Sequence, residues 1–437
     1  MRFAIIFLLF AQAAVTGLLG QNTAPGIALP VAAATAAPSD GQGGPSPTST
    51  PLTITQALEL AEANSPLLKE AGASVERAQA GMQTAKAYTN PVFEFLGGQQ
   101  SARPIATPGV PGALTHYSAS QLFEIPKERR TRIQASQLDL VGNKYRLSGI
   151  RLSLHAYVKR AFYDVIRRKE QLANAESNLM LVEDLRRRVR LEVEVGEKGR
   201  LELTRAEAET ARAVAAVRSA DIELVNTRAI LKAAIGSTSE DLFDAQGPLG
   251  DAVRIDVLSN LRQQVLANHP AISEVNALAT RSRVMVDHER ARRIPEPAFY
   301  GEYERQPDIS FYRFGVAVPL PLWDRRKGPI AEARAEVNRA DALVRQRRLE
   351  ITAALERAYD QYQISNQQVE GLQAGSLREA EAAVEAAQSA YKFGERGIVE
   401  VFDAQRVLQG VRSDLLDALY ARQSALTDLE ELGVTHQ

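Results

Sequence analysis

The side chains best suited to catalysis or metal binding are scattered through this sequence. No cysteine is present, which excludes thiolate metal sites, a cysteine nucleophile and disulfides. No phosphate-binding loop, Gly-x-Ser-x-Gly elbow or paired-acid cleft is apparent. The sequence therefore predicts no enzyme activity, no cofactor and no bound metal. Five histidines lack a shared metal-ligand spacing: His116, His155, His269, His288 and His436.

Charged residues are balanced along the chain. The 52 Lys and Arg residues nearly cancel the 53 Asp and Glu residues, so no strong net field favours nucleic acid as a partner. The cluster Arg186, Arg187, Arg188 and Arg190 lies between Glu183, Asp184 and Glu192, which favours a solvated helix face over a site that steers an acidic partner. Partners must therefore be inferred from the elements that position the side chains.

The N-terminus has the pattern of an export signal over residues 1–20, with Arg2, the apolar run 3–10 and then small residues. Residues 21–51 mix Pro, Gly, Ala, Ser and Thr without periodicity and are predicted to be a disordered leader. The apolar run is shorter than the about 20 residues that a membrane-spanning helix needs, and no later segment comes closer. If the mature chain crosses a membrane, strands must cross it.

An internal duplication divides the rest of the chain. The segment VGEKGRLELTRAE (195–207) aligns without gaps to FGERGIVEVFDAQ (393–405), which pairs Gly196 with Gly394 and Gly199 with Gly397. The earlier segments EANSPLL and LANHPAI agree with this alignment. We therefore predict two repeats, residues 52–250 and residues 251–437.

Each repeat contains one long stretch that favours helix. Proline is absent between Pro126 and Pro248 and again after Pro329, and both stretches are rich in good helix formers. Two helical hairpins are predicted, at about 127–235 and 328–432, with their turns at the paired glycines. The first arm would be on the order of 100 Å long, far longer than a globular domain.

Two short segments with alternating polarity precede each hairpin. The predicted strands are about 91–100 and 114–126 in the first repeat, and 297–305 and 309–321 in the second. They concentrate the aromatic residues, as a girdle at a bilayer interface would. Surface hairpins on a soluble helical protein remain an alternative at this point. If the strands insert in lipid, four cannot close a barrel, so several chains must contribute strands.

The chain from Leu52 to Val434 resembles the TolC-like outer-membrane factor family, and within it the CzcC-like branch. The resemblance rests on LTITQALELAEANSPLL, on PLPLWDRRKGPIAEARAE (319–336) and on AYKFGERGIVEVFDAQ (390–405). It implies a mainly α fold with a small β part, in which helical hairpins form an α-barrel. It also implies a homotrimer, with four strands from each subunit building a twelve-stranded transmembrane β-barrel.

The resemblance also assigns roles around the two turns. A periplasmic adaptor protein would dock on the tip. Glu400 and Asp403, which follow the second turn, would project acidic rings into the entrance. Tyr391 and Arg396 would link neighbouring hairpins to Glu202 and hold the entrance shut. The adaptor-docking positions are Gly196, Gly199, Leu201, Leu203, Gly394, Gly397, Val399 and Val401. The entrance-gate positions are Glu202, Tyr391, Arg396, Glu400 and Asp403.

We therefore predict the outer-membrane channel subunit of a tripartite efflux system. It would lie in outer-membrane lipid of a Gram-negative-type bacterium, extend into the periplasm, and serve an inner-membrane pump of the RND class. The alternatives are the outer-membrane component of a type I secretion system, a periplasmic adaptor, and a structural coiled-coil protein of the envelope. The exported substrate is not predicted.

Overall fold

The computed structural model describes residues 49–101, 110–238, 242–250 and 252–435. The predicted signal peptide and the predicted leader up to residue 48 lie outside these ranges. Residues 49–51 were also assigned to the leader, and this is wrong, because they belong to strand β1, Ser49–Leu52. β1 pairs in parallel with β4, Leu242–Ala245, and buries Leu52 at the end of the first repeat. The amino-acid composition of a segment does not predict such long-range pairing.

Long helices make up most of the chain. The first repeat contains α1 (Ile54–Asn64), α2 (Pro66–Lys86), α3 (Pro126–Glu194) and α4 (Arg200–Ile235). The second contains α5 (Leu258–Asn268), α6 (Pro270–Ala291), α7 (Lys327–Gly371), α8 (Leu377–Lys392) and α9 (Ile398–Glu431). In the described part of the chain, no helix is both long and apolar enough to cross a membrane.

The two hairpins differ in the continuity of their first arm. α3 runs for 69 residues without a break, which corresponds to roughly 100 Å. The equivalent arm of the second hairpin is interrupted by one π-helical turn, Leu372–Ser376, between α7 and α8. This turn follows Gly371 and includes Gly375, and glycine weakens the preference for regular α-helix. The second arm therefore contains a local irregularity that the first arm lacks.

Short helices stack on the ends of the hairpin arms. α4 ends at Ile235 and is followed by Gly236, which has φ +71 and lies against Asn64, the last residue of α1. Ser65 caps α2 through its hydroxyl, which accepts a hydrogen bond from Leu68 N at 3.4 Å. In the second repeat, His269 caps α6 by accepting from Ala271 N at 3.1 Å through Nδ1. The helices pack side by side in the order α2, α3, α6, α7 near the sheet.

One antiparallel sheet contains the other four strands, in the order β2 (Val92–Gln100), β3 (Gly112–Leu122), β5 (Ala298–Arg305) and β6 (Ser310–Ala317). Two strands end earlier than predicted. β3 ends at Leu122, not at 126, because α3 already begins at Pro126. β6 ends at Ala317, not at 321, because Pro319 and Pro321 have no N–H for a ladder. The predicted fold class, mainly helical with four strands, is confirmed.

Candidate channel entrance and membrane sheet

The sheet has one apolar and one polar face. Because neighbouring residues of a strand point to opposite faces, the registered pairs assign each side chain to a face. The apolar face is exposed in the single chain, and Phe314 on it is 85% exposed. Its aromatic and small apolar members are Phe93, Phe95, Tyr117, Ala119, Phe299, Gly301, Tyr303, Tyr312, Phe314 and Val316. Alternation therefore gives an amphipathic sheet with an outward apolar surface.

An aromatic row crosses all four strands on the apolar face. Ring centroids of Phe95 and Tyr117 lie 4.9 Å apart, those of Tyr117 and Tyr303 6.3 Å, and those of Tyr303 and Tyr312 4.8 Å. Each of these four residues is directly paired with the next one on the neighbouring strand. Such a row is typical of a protein surface that meets a membrane interface, where amphipathic tyrosine rings are favoured.

The polar face carries a linked set of charges. Arg313 bonds Glu304 at 2.9 Å and also contacts Glu302, and both carboxylates approach the His116 ring, at 3.9 and 3.7 Å. Glu94 belongs to the same face. If these charged groups faced lipid, their transfer from water would cost free energy, so this face is suited to line water. The sequence analysis did not identify this charge network, because it joins residues about 200 positions apart.

Both tip turns have the same backbone. After α3, Gly196 adopts φ +83, the N–H of Glu197 bonds Glu192 O at 2.8 Å, and the N–H of Gly196 bonds Val193 O at 3.1 Å. After α8, Gly394 adopts φ +74, and the corresponding bonds measure 2.9 and 3.0 Å. Both are Schellman caps, in which a left-handed residue closes the helix. Gly196 and Gly394 are therefore required by the fold itself.

The second glycine of each turn has a different role. Gly199 and Gly397 are extended N-cap residues of α4 and α9, with φ −82 and −83, which any residue can adopt. Nothing lies within 4 Å of a Cβ built on Gly199. A Cβ on Gly397 would lie 3.3 Å from Glu400 Oε2. The single chain therefore does not require glycine at position 199, which leaves that position open to an approaching partner.

The four apolar docking positions differ in accessibility. Leu201 is 63% exposed and Val399 is 37% exposed. Leu203 is half-buried, and Val401 is fully buried in the cluster that joins the two hairpins. The side chain of Val401 is therefore a packing residue in this structure and does not face a partner. Val401 follows Val399 by two residues, so on a helix the two side chains point to different sides.

Tyr391 joins the two hairpins behind the tip turns. Its ring is buried among Val182, Leu185 and Val189 of α3, and its hydroxyl donates a hydrogen bond to Glu192 Oε2. Burial first, and then the carboxylate of Glu192, raises the pKa of the Tyr391 hydroxyl. The hydroxyl therefore remains a proton donor at ordinary pH.

Within one chain, the Tyr391 hydroxyl does not bond Glu202, the residue to which the resemblance links it. Glu202 is close enough for its charge to act on Tyr391, but the hydroxyl bonds Glu192, ten residues earlier. The buried Oε2 of Glu202 has no hydrogen-bond partner within the described residues. Sequence reasoning missed Glu192. It continues the buried spacing of Leu185 and Val189 on α3, and this periodicity could have identified it.

The remaining gate positions are exposed. Arg396 forms no ion pair or side-chain hydrogen bond with the described part of this chain, so the structure does not link it to Glu202 within one subunit. Asp403 pairs with Arg406 at 3.0 Å along its own helix. Glu400 lies exposed in the first turn of α9. Acidic side chains thus project from the helix that follows the second turn. At the first turn, the Lys198 ammonium lies 5.4 Å from the centroid of the Tyr391 ring.

A family model for outer membrane efflux proteins matches residues 57–237 and 261–433, which is most of the chain and both repeats. This chain belongs to the outer membrane efflux protein family. The predicted resemblance is thereby confirmed. An outer membrane efflux protein is located in the outer membrane, and the amphipathic sheet with its aromatic row is suited to contact with lipid.

Two relatives of this efflux protein are named for metal resistance. The cobalt-zinc-cadmium resistance protein CzcC of Cupriavidus metallidurans is 26% identical over 387 residues, which cover 87% of this chain and 90% of that protein. The nickel-cobalt-cadmium resistance protein NccC of Alcaligenes xylosoxydans xylosoxydans is 27% identical over 314 residues, covering 70% and 69%. Both matches support the CzcC-like branch.

Solved structures share the fold of this efflux protein. CusC matches with a TM-score of 0.76 and 18% identity over 87% of this chain and 92% of that chain. The CmeC outer membrane channel of Campylobacter jejuni matches with a TM-score of 0.74 and 16% identity, over 87% and 85%. These neighbours are channels and not enzymes. Across the ranges that the structure describes, no group of three histidine or acidic side chains is placed to hold a metal ion.

Proposed function

We propose that this efflux protein is one subunit of a homotrimeric, passive exit duct. The duct would receive its cargo from an inner-membrane pump of the RND class through a periplasmic adaptor protein. The observation that carries this proposal is the four-stranded sheet, which has an apolar face, a charged face and two strands with a free edge.

The free edges require further copies in a membrane. In lipid, each unpaired backbone N–H or C=O costs several kcal/mol, so an open sheet is not stable there. β2 and β6 run in opposite directions, so β6 of one copy can pair antiparallel with β2 of the next. Three copies would give a closed barrel of twelve strands, with the aromatic row outside and Glu302, Glu304 and Arg313 inside.

The helical part also has unpartnered edges. In the single chain, α4 and α7 occupy opposite sides of the layer that α3 and α9 fill. Ile222 and Val225 on α4 are 61% and 56% exposed, and Leu349 and Ile364 on α7 are 73% and 50% exposed. Pairing α4 of one copy with α7 of the next would cover these side chains. A ring of three copies is therefore consistent with both the sheet and the helices.

The tip supplies the adaptor-docking surface in this proposal. Gly199 and Gly397 expose backbone without side chains, and Leu201 and Val399 are the accessible apolar residues beside them. The repeat of this arrangement in both hairpins would offer six similar docking positions in a trimer. Tyr391 and Glu192, packed behind the turns, would hold the two hairpins together while the entrance is closed.

Divalent metal cations are the cargo class that we propose. The two relatives that are named for metal resistance support it. So do the exposed carboxylates of Glu400 and Asp403, which three copies would bring around one entrance. Carboxylate rings attract cations without a dedicated binding site. The cations would pass through the duct and would not reside in it.

Reconstitution tests this proposal. The full chain should need detergent, show three times the monomer mass, and form cation-selective channels in planar bilayers under a salt gradient. Changing both Glu400→Gln and Asp403→Asn should move the reversal potential towards zero. Glu379→Gln, which removes a carboxylate with 74% side-chain exposure on α8, is the matched control and should leave it unchanged. A monomer that stays soluble without detergent would refute the proposal.

A further inference from the structure

The strand-to-helix connection of the second repeat exposes a cluster of large apolar side chains. We call residues 318–326, which join β6 to α7, the β6–α7 linker. It contains Trp323, the one tryptophan of the chain, whose side chain is 92% exposed. Leu320 and Leu322 beside it are 67% and 61% exposed. Three adjacent apolar side chains in water are unfavourable, by about 25 cal/mol for each Å² of apolar surface.

Fixed contacts hold this linker in place. The Arg326 guanidinium donates through Nη2 to Glu289 Oε2 of α6 at 2.6 Å, and the Arg326 N–H donates to Asp324 Oδ1 at 2.7 Å. Leu322 N bonds Leu320 O at 2.9 Å. Arg326 has φ +52, the left-handed conformation that non-glycine residues rarely adopt. The backbone is therefore anchored while the apolar side chains remain uncovered.

The linker continues the apolar face of the sheet. β6 ends at Ala317, which pairs with Ala298, the first residue of β5. At the same end of the sheet, the rings of Phe123 and Phe299 meet edge to face at 4.8 Å, and both are about half exposed. The apolar face is the one that meets lipid, so the exposed linker lies at its border, on the side from which the long helices extend.

The charges around Trp323 favour an anionic neighbour. Arg326 turns inward to Glu289, but Arg325 and Lys327 on either side of it are exposed. Neither has an ion-pair partner among the residues that the structure describes. The nearby carboxylate of Asp324 is already used as an acceptor for the Arg326 N–H. Arg325 and Lys327 thus place two unpaired positive charges just after the exposed tryptophan, against the single carboxylate of Asp324.

We propose that the β6–α7 linker binds anionic glycerophospholipids in the membrane leaflet on the side of the long helices. Trp323, Leu320 and Leu322 enter the boundary between headgroups and acyl chains, where an indole ring is favoured. Arg325 and Lys327 contact lipid phosphate groups, an attraction of about 1 kcal/mol for each basic residue at an anionic surface. The inference requires the sheet to be in a membrane, but it does not depend on the cargo or on the adaptor.

The single tryptophan permits a direct test. The full chain is reconstituted into phosphatidylcholine vesicles that contain brominated phosphatidylcholine, with bromine either close to the headgroup or deep in the acyl chains. Tryptophan emission should be blue-shifted and quenched more strongly by the shallow bromines. Emission that only aqueous acrylamide quenches would overturn the proposal. Emission that neither quencher reaches would also overturn it, because Trp323 would then be covered by a neighbouring copy.

A second arm tests the charge recognition. At equal mole fraction, brominated phosphatidylglycerol should quench wild-type emission more strongly than brominated phosphatidylcholine with bromines at the same depth. Arg325→Gln combined with Lys327→Gln should remove this difference, whereas Arg378→Gln, an exposed arginine of α8, should preserve it. Equal quenching by both lipids in the wild type would overturn the anionic preference. The mass of the detergent-solubilised protein, measured on the same preparation, reports separately on the proposed trimer.

Discussion

The two repeats leave the sheet in different ways. In the first, the linker of residues 123–125 is short and tied down, because Glu124 forms an ion pair with Arg132 at 2.6 Å and Ile125 N bonds Glu296. In the second, the β6–α7 linker is longer and exposes Trp323. The tip turns, in contrast, repeat the same hydrogen bonds in both copies. The duplication thus preserves the turn that ends each arm and varies the connection near the membrane.

This contrast indicates which segments of each repeat can accept a different sequence. A Schellman turn depends on one left-handed residue and a few backbone bonds, so any change there alters the helix end. A linker between strand and helix needs only to span a distance, and its side chains can adapt to a new neighbour. Differences between the repeats are therefore informative about function, and three of them can be tested by single substitutions.

The largest expected effect concerns Tyr391, whose equivalent in the first repeat is Val193. Tyr391→Phe removes the hydroxyl that donates to Glu192 and leaves a half-buried carboxylate without this donor. A hydrogen bond to a charged group contributes roughly 1.5 to 3 kcal/mol. We expect a looser entrance and a higher single-channel conductance in planar bilayers.

The matched control for Tyr391 is Tyr145→Phe, which removes the hydroxyl of a tyrosine on α3 that is 40% exposed. Its conductance should equal that of the wild type. If Tyr391→Phe also leaves the conductance unchanged, the contact between Tyr391 and Glu192 does not hold the entrance closed.

A smaller effect is expected in the sheet, where the second repeat packs aromatic rings over glycines. A Cβ on Gly315 would clash with the hydroxyl and ring of Tyr300, whereas a Cβ on Gly98 in β2 would meet nothing within 4 Å. Gly315→Ala must displace the Tyr300 ring, at a cost of about 1 to 2 kcal/mol.

Thermal dissociation of the detergent-solubilised protein measures this difference between the strands. Gly315→Ala should lower the transition temperature, and Gly98→Ala should not. Equal transition temperatures for the two variants would show that the Tyr300 ring moves aside without loss, and that the two hairpins of the sheet tolerate added volume alike.

The smallest effect distinguishes the helix junctions, which are capped by Ser65 in one repeat and by His269 in the other. Burial first, and then the charge of Arg347, lowers the pKa of His269 below its usual value near 6.5. The unfolded chain therefore binds a proton at His269 more readily than the folded chain does. The contribution of neutral His269 to the free energy of unfolding is fully present above about pH 6.5 and is lost as the pH falls. The lost cap corresponds to roughly 0.5 to 1 kcal/mol.

Exchange of the two capping residues checks this pH dependence. His269→Ser should reduce the loss of stability between pH 7.5 and 5.5, because a hydroxyl cap does not titrate in this range. Ser65→His should increase that loss at the first junction. The same pH dependence in His269→Ser and in the wild type would show that protonation of His269 is not responsible.

Much of this architecture could be predicted because its cause is local. Proline-free stretches and paired glycines predict the hairpins and their turns, and alternation in 114–122 predicts which side chains share a face with Tyr117. The periodicity of α3 places Glu192 on the buried face, but its pairing with Tyr391 also depends on the rotation of α8 relative to α3, which no local pattern determines. The pairing of β1 with β4 depends on contact between segments about 190 residues apart, and no local pattern records it.

The unbroken course of α3 has a mechanical consequence. Every backbone N–H in its interior is bonded one turn earlier, so bending it sharply would require several of these bonds to break together. Its neighbours offer places where bending costs less: the π turn in the second arm and the end-to-end junctions at Gly236 and His269. α3 is therefore the stiffest element of the chain, and we expect any change in the relative position of the helices to occur at these interruptions and not within α3.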